Sequence, residues 1–315
     1  MFKVECIGYT VIFASEDMAK ELSKHKCSVA LGNFDGVHIA HKELILKAIQ
    51  LKNDSDCDLV GAWSFKTNPL KYFVKNPPKA IYSPEKKAQT LLSLGVDFVV
   101  LADFGYFKDM PHDEFTDYLK RDIGACRAVC GYNYRFGKGG LGNPDSLFDA
   151  FGKDNTFVVG EIDFDGMPVS STRIRTLIEN GNIAEANVLL GRAFSLSCEV
   201  VSGKQLGRSL GVPTANQYFA DGALVPKCGI YATKCNIDGA SYIGVTNIGV
   251  RPTVEESSIV NAETFILDFS GDIYGNVIEI EFIEYLRQEM KFESLEELRD
   301  AILNDAAQAR QIVKL

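Results

Sequence analysis

The sequence predicts an α/β domain built on a parallel sheet, followed by a small antiparallel β-barrel domain with a terminal helix. Three observations predict it. Strand-like and helix-like segments alternate through residues 1–190, short strand-like runs divided by Gly, Pro and Asp turns follow Gly191, and one capped helix closes the chain. A length of 315 residues suits about two domains. The expected division is 1–188 and 189–315.

Ser28–Leu31 is a short apolar run, and Ile39–Lys52 sets Leu44, Ile45, Ala48 and Ile49 along one helical stripe. Leu59–Phe65 reads as a strand. Pro84 opens a helix through Leu94, and Asp97–Leu101 reads as a buried strand. A helix over Pro111–Asp122 and a strand over Ala128–Gly131 continue the alternation. Such sheets bind ligands in the loops at the carboxyl ends of their strands. Thr172–Glu179 and Ile183–Leu190 read as two short helices separated by Asn180-Gly181. The barrel strands are expected at Ser195–Val201, Gly229–Ile237, Ser241–Ile248, Glu263–Asp268 and Val277–Tyr285. Ser294 with Glu297 three residues later forms a capping box, and Leu295, Leu298 and Ile302 share one side of the helix that follows.

Composition narrows the function classes. With 46% hydrophobic and 24% charged residues the chain is neither disordered nor collagenous, and it has no run of about 18 apolar residues. Met1–Glu5 does not begin a basic-then-apolar leader, so a cytoplasmic location is expected. Eight cysteines without a CxxC are too sparse for a disulfide scaffold, and Cys126 and Cys130 lack the partners of a zinc site; reduced thiols are expected. The net charge is -9, with -3 in residues 1–190 and -6 in 191–315. Neither part is a basic body, so nucleic acid and anionic membrane are not expected partners. Small anionic substrates fit better.

Gly32-Asn33-Phe34-Asp35-Gly36-Val37-His38-Ile39-Ala40-His41 lies where a strand gives way to a helix. The helix N-terminus presents N–H groups to an anion. Two of the chain's four histidines fall here, three residues apart and so on one face of the first turn. They are placed to donate to phosphate oxygens as charge builds on them. Ser170, Ser171, Thr172 and Arg175 form a second group: hydroxyls that cap a helix and a permanent cation that together cradle an anion. Tyr132, Tyr134 and Phe136 alternate, and an extended segment would place them on one face, for core packing or for stacking on a flat ring. In the second half, residues 202–216 concentrate Gly203, Gly207, Gly211, Lys204 and Arg208 before Thr214 and Asn216. Successive N–H groups in such a loop nest an anion, and the two neutral side-chain oxygens suit a phosphate-bound Mg²⁺.

The histidine and hydroxyl groups resemble the HxGH and SSTxxR signatures of nucleotidyltransferases. The longer Gly32–His38 run resembles the bacterial bifunctional riboflavin kinase/FAD synthetase family, and matching segments continue in order along essentially the whole chain. They include Gly131-Tyr132-Asn133-Tyr134-Arg135-Phe136-Gly137, the 203–216 run, Asn247–Thr253, Glu263-Thr264-Phe265, Asp272-Ile273-Tyr274-Gly275 and Leu286-Arg287.

The resemblance implies a nucleotidyltransferase-type, Rossmann-like first domain that adenylylates FMN to FAD with ATP, and a barrel that phosphorylates riboflavin to FMN. It implies Glu263 as the base that accepts the flavin hydroxyl proton. It implies nucleotide or phosphate contacts at Gly32, Phe34, Asp35, Gly36, Asn133, Ser170, Ser171, Thr172, Arg175, Gly203, Gly207, Arg208 and Gly211. Flavin contacts at Tyr134, Phe136 and Arg287, and Mg²⁺ beside ATP, complete the expectation; Arg287 reads equally as a salt-bridge partner. Ala40 replaces the Gly of HxGH, Thr67 and Asn68 replace Pro and His of a T-F-x-P-H-P segment, and Phe265 replaces the His after Glu263. The first two changes leave a second reading, riboflavin kinase alone with a weakened or inactive adenylyltransferase half.

Overall fold

The computed structural model describes residues 2–6, 9–13, 22–202, 211–219, 222–252 and 258–315. The chain divides into two compact units, Met1–Ser171 and Thr172–Leu315.

In the first unit the strands are β1 (Phe2–Cys6), β2 (Tyr9–Phe13), β3 (Cys27–Leu31), β4 (Leu59–Phe65), β5 (Phe98–Ala102), β6 (Ala125–Gly131) and β7 (Thr156–Val159). They form one sheet in the order β1-β2-β5-β4-β3-β6-β7. The five strands from β5 to β7 are parallel, as the alternation predicts, and β2 joins β5 antiparallel. Chain order reverses at β3, which puts a topological switch point between β3 and β6.

Helices α1 (Ile39–Asn53) and α2 (Pro84–Ser93) cover one face of the sheet, and α3 (Phe104–Phe107), α4 (His112–Asp122) and α5 (Pro144–Phe151) lie in the layer of the other. Each face has its own core. Ala30, Ala62, Val99 and Ile45 meet in one, while Leu31, Trp63, Val100 and Phe115 meet in the other. Alternate residues of the same strands supply both, which is why β5 is apolar throughout and β3 is apolar but for the buried Ser28. The hairpin β1–β2, α5 and β7 do not stand out in the sequence pattern. A small hairpin, β8 (Asp163–Phe164) with β9 (Met167–Pro168), completes this unit.

Helix α6 (Ser171–Glu179) starts at the division, and α7 (Ile183–Leu190) packs with the barrel. Asn187 explains the attachment: its amide donates to the Phe282 carbonyl at 2.8 Å and accepts from the Phe194 N–H at 2.7 Å. The barrel closes in the order β10-β11-β14-β13-β12-β15. Its strands are β10 (Phe194–Val201), β11 (Thr214–Tyr218), β12 (Gly229–Ile237), β13 (Ala240–Pro252), β14 (Ser258–Ile266) and β15 (Val277–Arg287). Every pair is antiparallel.

Phe194, Tyr231 and Phe282 are fully buried, and a chain of hydroxyls crosses three neighbouring strands. Thr233 Oγ1 lies 2.9 Å from Thr246 Oγ1, which lies 2.9 Å from Thr264 Oγ1, all buried.

The terminal helix α8 (Leu295–Ile312) starts at Ser294, whose Oγ accepts from the Glu297 N–H at 3.1 Å. The return bond of the cap goes from the Glu293 N–H, not from Ser294, to Glu297. The buried side continues the stripe that the sequence predicts, with Leu298 and Ile302 half-buried on it. Leu295 is 58% exposed, and Asp305, Ala306 and Ala309 face inward. Small residues let the helix lie close on Ile230, Ala232 and Val245, and the bidentate grip of Arg287 holds Asp305 there. Among the described residues, no helix is long and apolar enough to cross a membrane.

Candidate functional site

The first unit presents its chemistry at the carboxyl ends of β3, β4 and β6. After β3 the chain turns through Phe34 (φ 47°), Gly36 (φ 79°) and Val37 (φ 44°) before entering α1. Positive φ at two non-glycine residues is strained backbone, held here by the full burial of Phe34 and Val37. His38 becomes the N-cap of α1, and its Nδ1 accepts from the His41 N–H at 3.3 Å. That bond leaves the neutral ring its proton on Nε2, a donor. The two imidazoles stack with centroids 3.6 Å apart and planes 15° apart, and the Phe34 ring meets His41 edge-on. The sequence-predicted doublet is therefore one preformed surface at a helix N-terminus. Ala40 enters the helix without disturbing it.

The rest of the loop is held from beneath. Asp35 is buried, its Oδ1 accepting from the Ile81 N–H at 2.9 Å and its carbonyl accepting from Ser171 Oγ at 2.8 Å. Its carboxylate thus supports the turn, and Phe34 is a buried wedge against Gly32.

Sequence reasoning missed Lys87. This side chain of α2 is 4% exposed, and its Nζ donates to the carbonyls of Asn33 (3.0 Å) and Phe65 (2.8 Å) and to Ser64 Oγ (3.4 Å). It ties the end of β3 to the end of β4. Burial lowers its pKa to about 8, against an opposing pull from Asp35. A lysine inside an amphipathic helix carries no sequence signal for such a tie.

Tyr132, Tyr134 and Phe136 do not share one face. A turn, closed by the Tyr134 N–H on the Gly131 carbonyl at 3.0 Å, throws Tyr132 outward to bond Glu161, with Asn133 exposed beside it. Tyr134 and Phe136 stack on each other, centroids 5.6 Å apart, against the core. Phe136 also lines a cavity of about 400 Å³ with Trp63, Phe65, Phe104, Phe107 and Phe115. Burial raises the Tyr134 pKa. The Trp63 indole N–H is buried without a hydrogen-bond partner. Scattered aromatics from four segments give no motif, so this pocket was not legible. Asn68, the replacement for a histidine, caps a short helical turn by accepting from the Leu70 N–H at 3.0 Å.

In the second unit, Arg175 is buried and its Nη1 lies 3.5 Å from Thr172 Oγ1, within the first turns of α6.

The barrel carries the other constellation. Register places Asn216 on β11 and Asn247 on β13 directly opposite Glu263 on β14, a row across three strands. Alternation puts Thr214 on that same face. Asn261 donates to Glu263 at 3.3 Å, and Asn247 donates to Glu289 at 3.2 Å. Asn261 and Glu289 carry no signal in the sequence, and Asn247 enters it only as the first residue of the Asn247–Thr253 segment. Thr214 also lines a cavity of about 530 Å³ with Ile266, Phe269, Asp272, Ile273 and Tyr274. Gly211 turns into β11 with φ 73°, while Gly203, Gly207 and Arg208 lie outside the described residues.

No cluster of three or more His, Cys, Asp or Glu suited to a metal occurs among the described residues. Arg287 directs its fork to Asp305, at 2.9 and 2.7 Å.

Residues 20–173 match the FAD synthetase family model, and residues 190–313 match the riboflavin kinase model. A bifunctional riboflavin kinase/FMN adenylyltransferase of Pseudomonas fluorescens is 35% identical over 295 residues, covering 91% of this chain and 93% of its own. Its counterpart in Bacillus subtilis is 32% identical over 290 residues, covering 90% and 92%. The Escherichia coli K12 protein of the same description is 33% identical over 300 residues, covering 92% and 93%. A crystal structure described as that of a macrolide-efflux protein from Streptococcus pneumoniae superimposes with a TM-score of 0.82 at 29% identity, over 90% of this chain and 94% of that one.

Proposed function

The chain belongs to the bifunctional riboflavin kinase/FMN adenylyltransferase family, and from that premise we propose how its residues divide the work. It phosphorylates riboflavin to FMN with ATP and adenylylates FMN to FAD with a second ATP, releasing pyrophosphate. We assign adenylyl transfer to residues 1–188 and the kinase step to 189–315.

In the kinase step Glu263 accepts the proton of the ribityl 5′-hydroxyl as that oxygen bonds to the γ-phosphorus and the bond to ADP breaks. The row Asn216–Glu263–Asn247 supports this assignment, because it fixes the carboxylate beside neutral amides on the face that also carries Thr214. The oxygens of Thr214 and Asn216 fit a Mg²⁺ that draws its remaining ligands from phosphate and water. Bound there, such an ion neutralises charge on the transferred phosphate. Gly203, Gly207, Arg208 and Gly211 are assigned to the phosphates.

In the adenylyl step an FMN phosphate oxygen bonds to the α-phosphorus while the bond to pyrophosphate breaks. The nucleophile is already an anion, so no base is needed. His38 and His41 donate to the oxygens that gain charge, aided by the N–H groups of α1. Gly32, Gly36, Asn133, Ser170, Ser171, Thr172 and Arg175 contact phosphate or nucleotide, and Phe34 and Asp35 shape the loop. Tyr134 and Phe136 contact the flavin, and the aromatic cavity that Phe136 shares with Trp63 suits the ring system.

One observation carries the adenylyl assignment: the stacked imidazoles are already assembled at the start of α1. Asn68 and Ala40 keep local structure intact, and no finding favours a kinase working alone. Chromatography of products, with riboflavin and FMN supplied separately, tests the assignment. Riboflavin is expected to yield FMN and then FAD. Glu263→Ala is expected to stop the first product, and His41→Ala only the second, each by a factor of about 10²–10⁴. FMN supplied directly and left unconverted would refute the adenylyl half.

A further inference from the structure

The strand ends opposite the histidine loop carry a different chemistry. In the β3–β6 ladder Cys27 pairs with Ala125 but Ser28 pairs with Arg127, so Cys126 is the extra residue of a bulge. A bulge re-aims its side chain. The Cys126 Sγ lies 3.5 Å from the Cys27 carbonyl oxygen and 3.0 Å from the Sγ of Cys57, a residue 69 positions away just ahead of β4. Two sulfurs at that separation stand only roughly 1 Å beyond a bonded pair. We propose that Cys57 and Cys126 form a disulfide-forming site that takes small-molecule disulfides as its oxidant.

Exposure sets the order of events. Cys57 is buried and Cys126 partly exposed, so Cys126 meets the reagent. Its thiolate bonds to one sulfur of the external disulfide, and the other sulfur leaves as a thiolate. The Cys57 thiolate then bonds to the Cys126 sulfur and expels the second external thiolate. The protons of the two protein thiols end on the two released thiols. Two protein thiols are oxidised and one external disulfide is reduced.

Burial pushes the Cys126 pKa up to about 12, opposed by neighbouring Arg127, so the exchange is slow at neutral pH and accelerates as pH rises. The bond would join the entry of β4 to β6 across β3, a cross-link through the centre of the sheet.

Glutathione disulfide incubated with the full chain is the test, read by peptide mapping under non-reducing conditions. The expected result is one cross-linked peptide pair holding Cys57 and Cys126, with two fewer free thiols, both reversed by dithiothreitol. The melting transition of the first unit is expected to rise by roughly 5–10 °C on oxidation. Cys57→Ser is expected to trap a glutathione adduct on Cys126, and Cys126→Ser or Cys126→Ala to leave Cys57 unmodified. Oxidised samples in which Cys57 and Cys126 remain alkylatable, or in which either pairs with another cysteine, would overturn the proposal. Mapping of the unsubstituted chain alone gives that answer should the variants fold poorly.

Discussion

Lys87 sets the pH behaviour at the level of single side chains. Its Nζ meets two carbonyls and a hydroxyl, and burial depresses its pKa from 10.5 to about 8. Between those values the unfolded chain holds a proton that the folded chain has released. The stability contributed by this group is therefore lowest below about pH 8 and rises as pH climbs to 10.5. Denaturant midpoints of the native chain and of Lys87→Met, compared across this window, are expected to diverge by up to about 3 kcal/mol, the native chain gaining with pH. Parallel curves would show that the lysine keeps its proton. The histidine doublet was legible because two of four histidines sit at one strand–helix junction. Lys87 and Glu289 were not, since one lysine or acid among many acquires meaning only from what folds against it. Arg287 was legible only through its family-like motif, and its partner Asp305, 18 residues further on in a helix, carries no signal of its own.

Elements followed the hydrophobic pattern where one face was apolar and escaped it where polar groups were buried. β4 spans Leu59–Phe65, the run the sequence marks, whereas β11 was hidden within a Gly-rich, polar stretch. Its Gln217 is buried, and the amide donates to the carbonyls of Cys198 at 2.7 Å and Ile278 at 3.3 Å. A side-chain amide thus does inside the barrel what an apolar residue does elsewhere, and no periodicity reveals it. The threonine chain is the same device on a larger scale. Thr246→Val keeps the shape but deprives both neighbouring hydroxyls, so it is expected to cost about 1–3 kcal/mol in chemical denaturation. Thr233→Val removes only the end of the chain and is expected to cost less. Equal costs would mean that the three hydroxyls do not act as a chain.

On the scale of the molecule, the chain folds as two compact units, and a net charge of -9 leaves recognition of anionic substrates to local N–H groups and a few cations. The chain has a single tryptophan, and it lines the aromatic cavity of the first unit. Titration with FMN in the absence of ATP is expected to quench most of the indole emission, because a flavin within that cavity contacts the ring. Steady emission in that titration, from a chain that converts the same FMN once ATP is added, would place the flavin elsewhere.

The order of the first sheet has one more consequence. β5 is apolar and buried along all five residues, and β2, itself paired with β1, occupies the flank of it that β4 leaves open. A chain trimmed back to residue 20, where the FAD synthetase match begins, would bare a row of unpaired amides on a greasy ribbon, a template for sticking to its own copies. β1 and β2 thus cover an edge that would otherwise stand open to self-association.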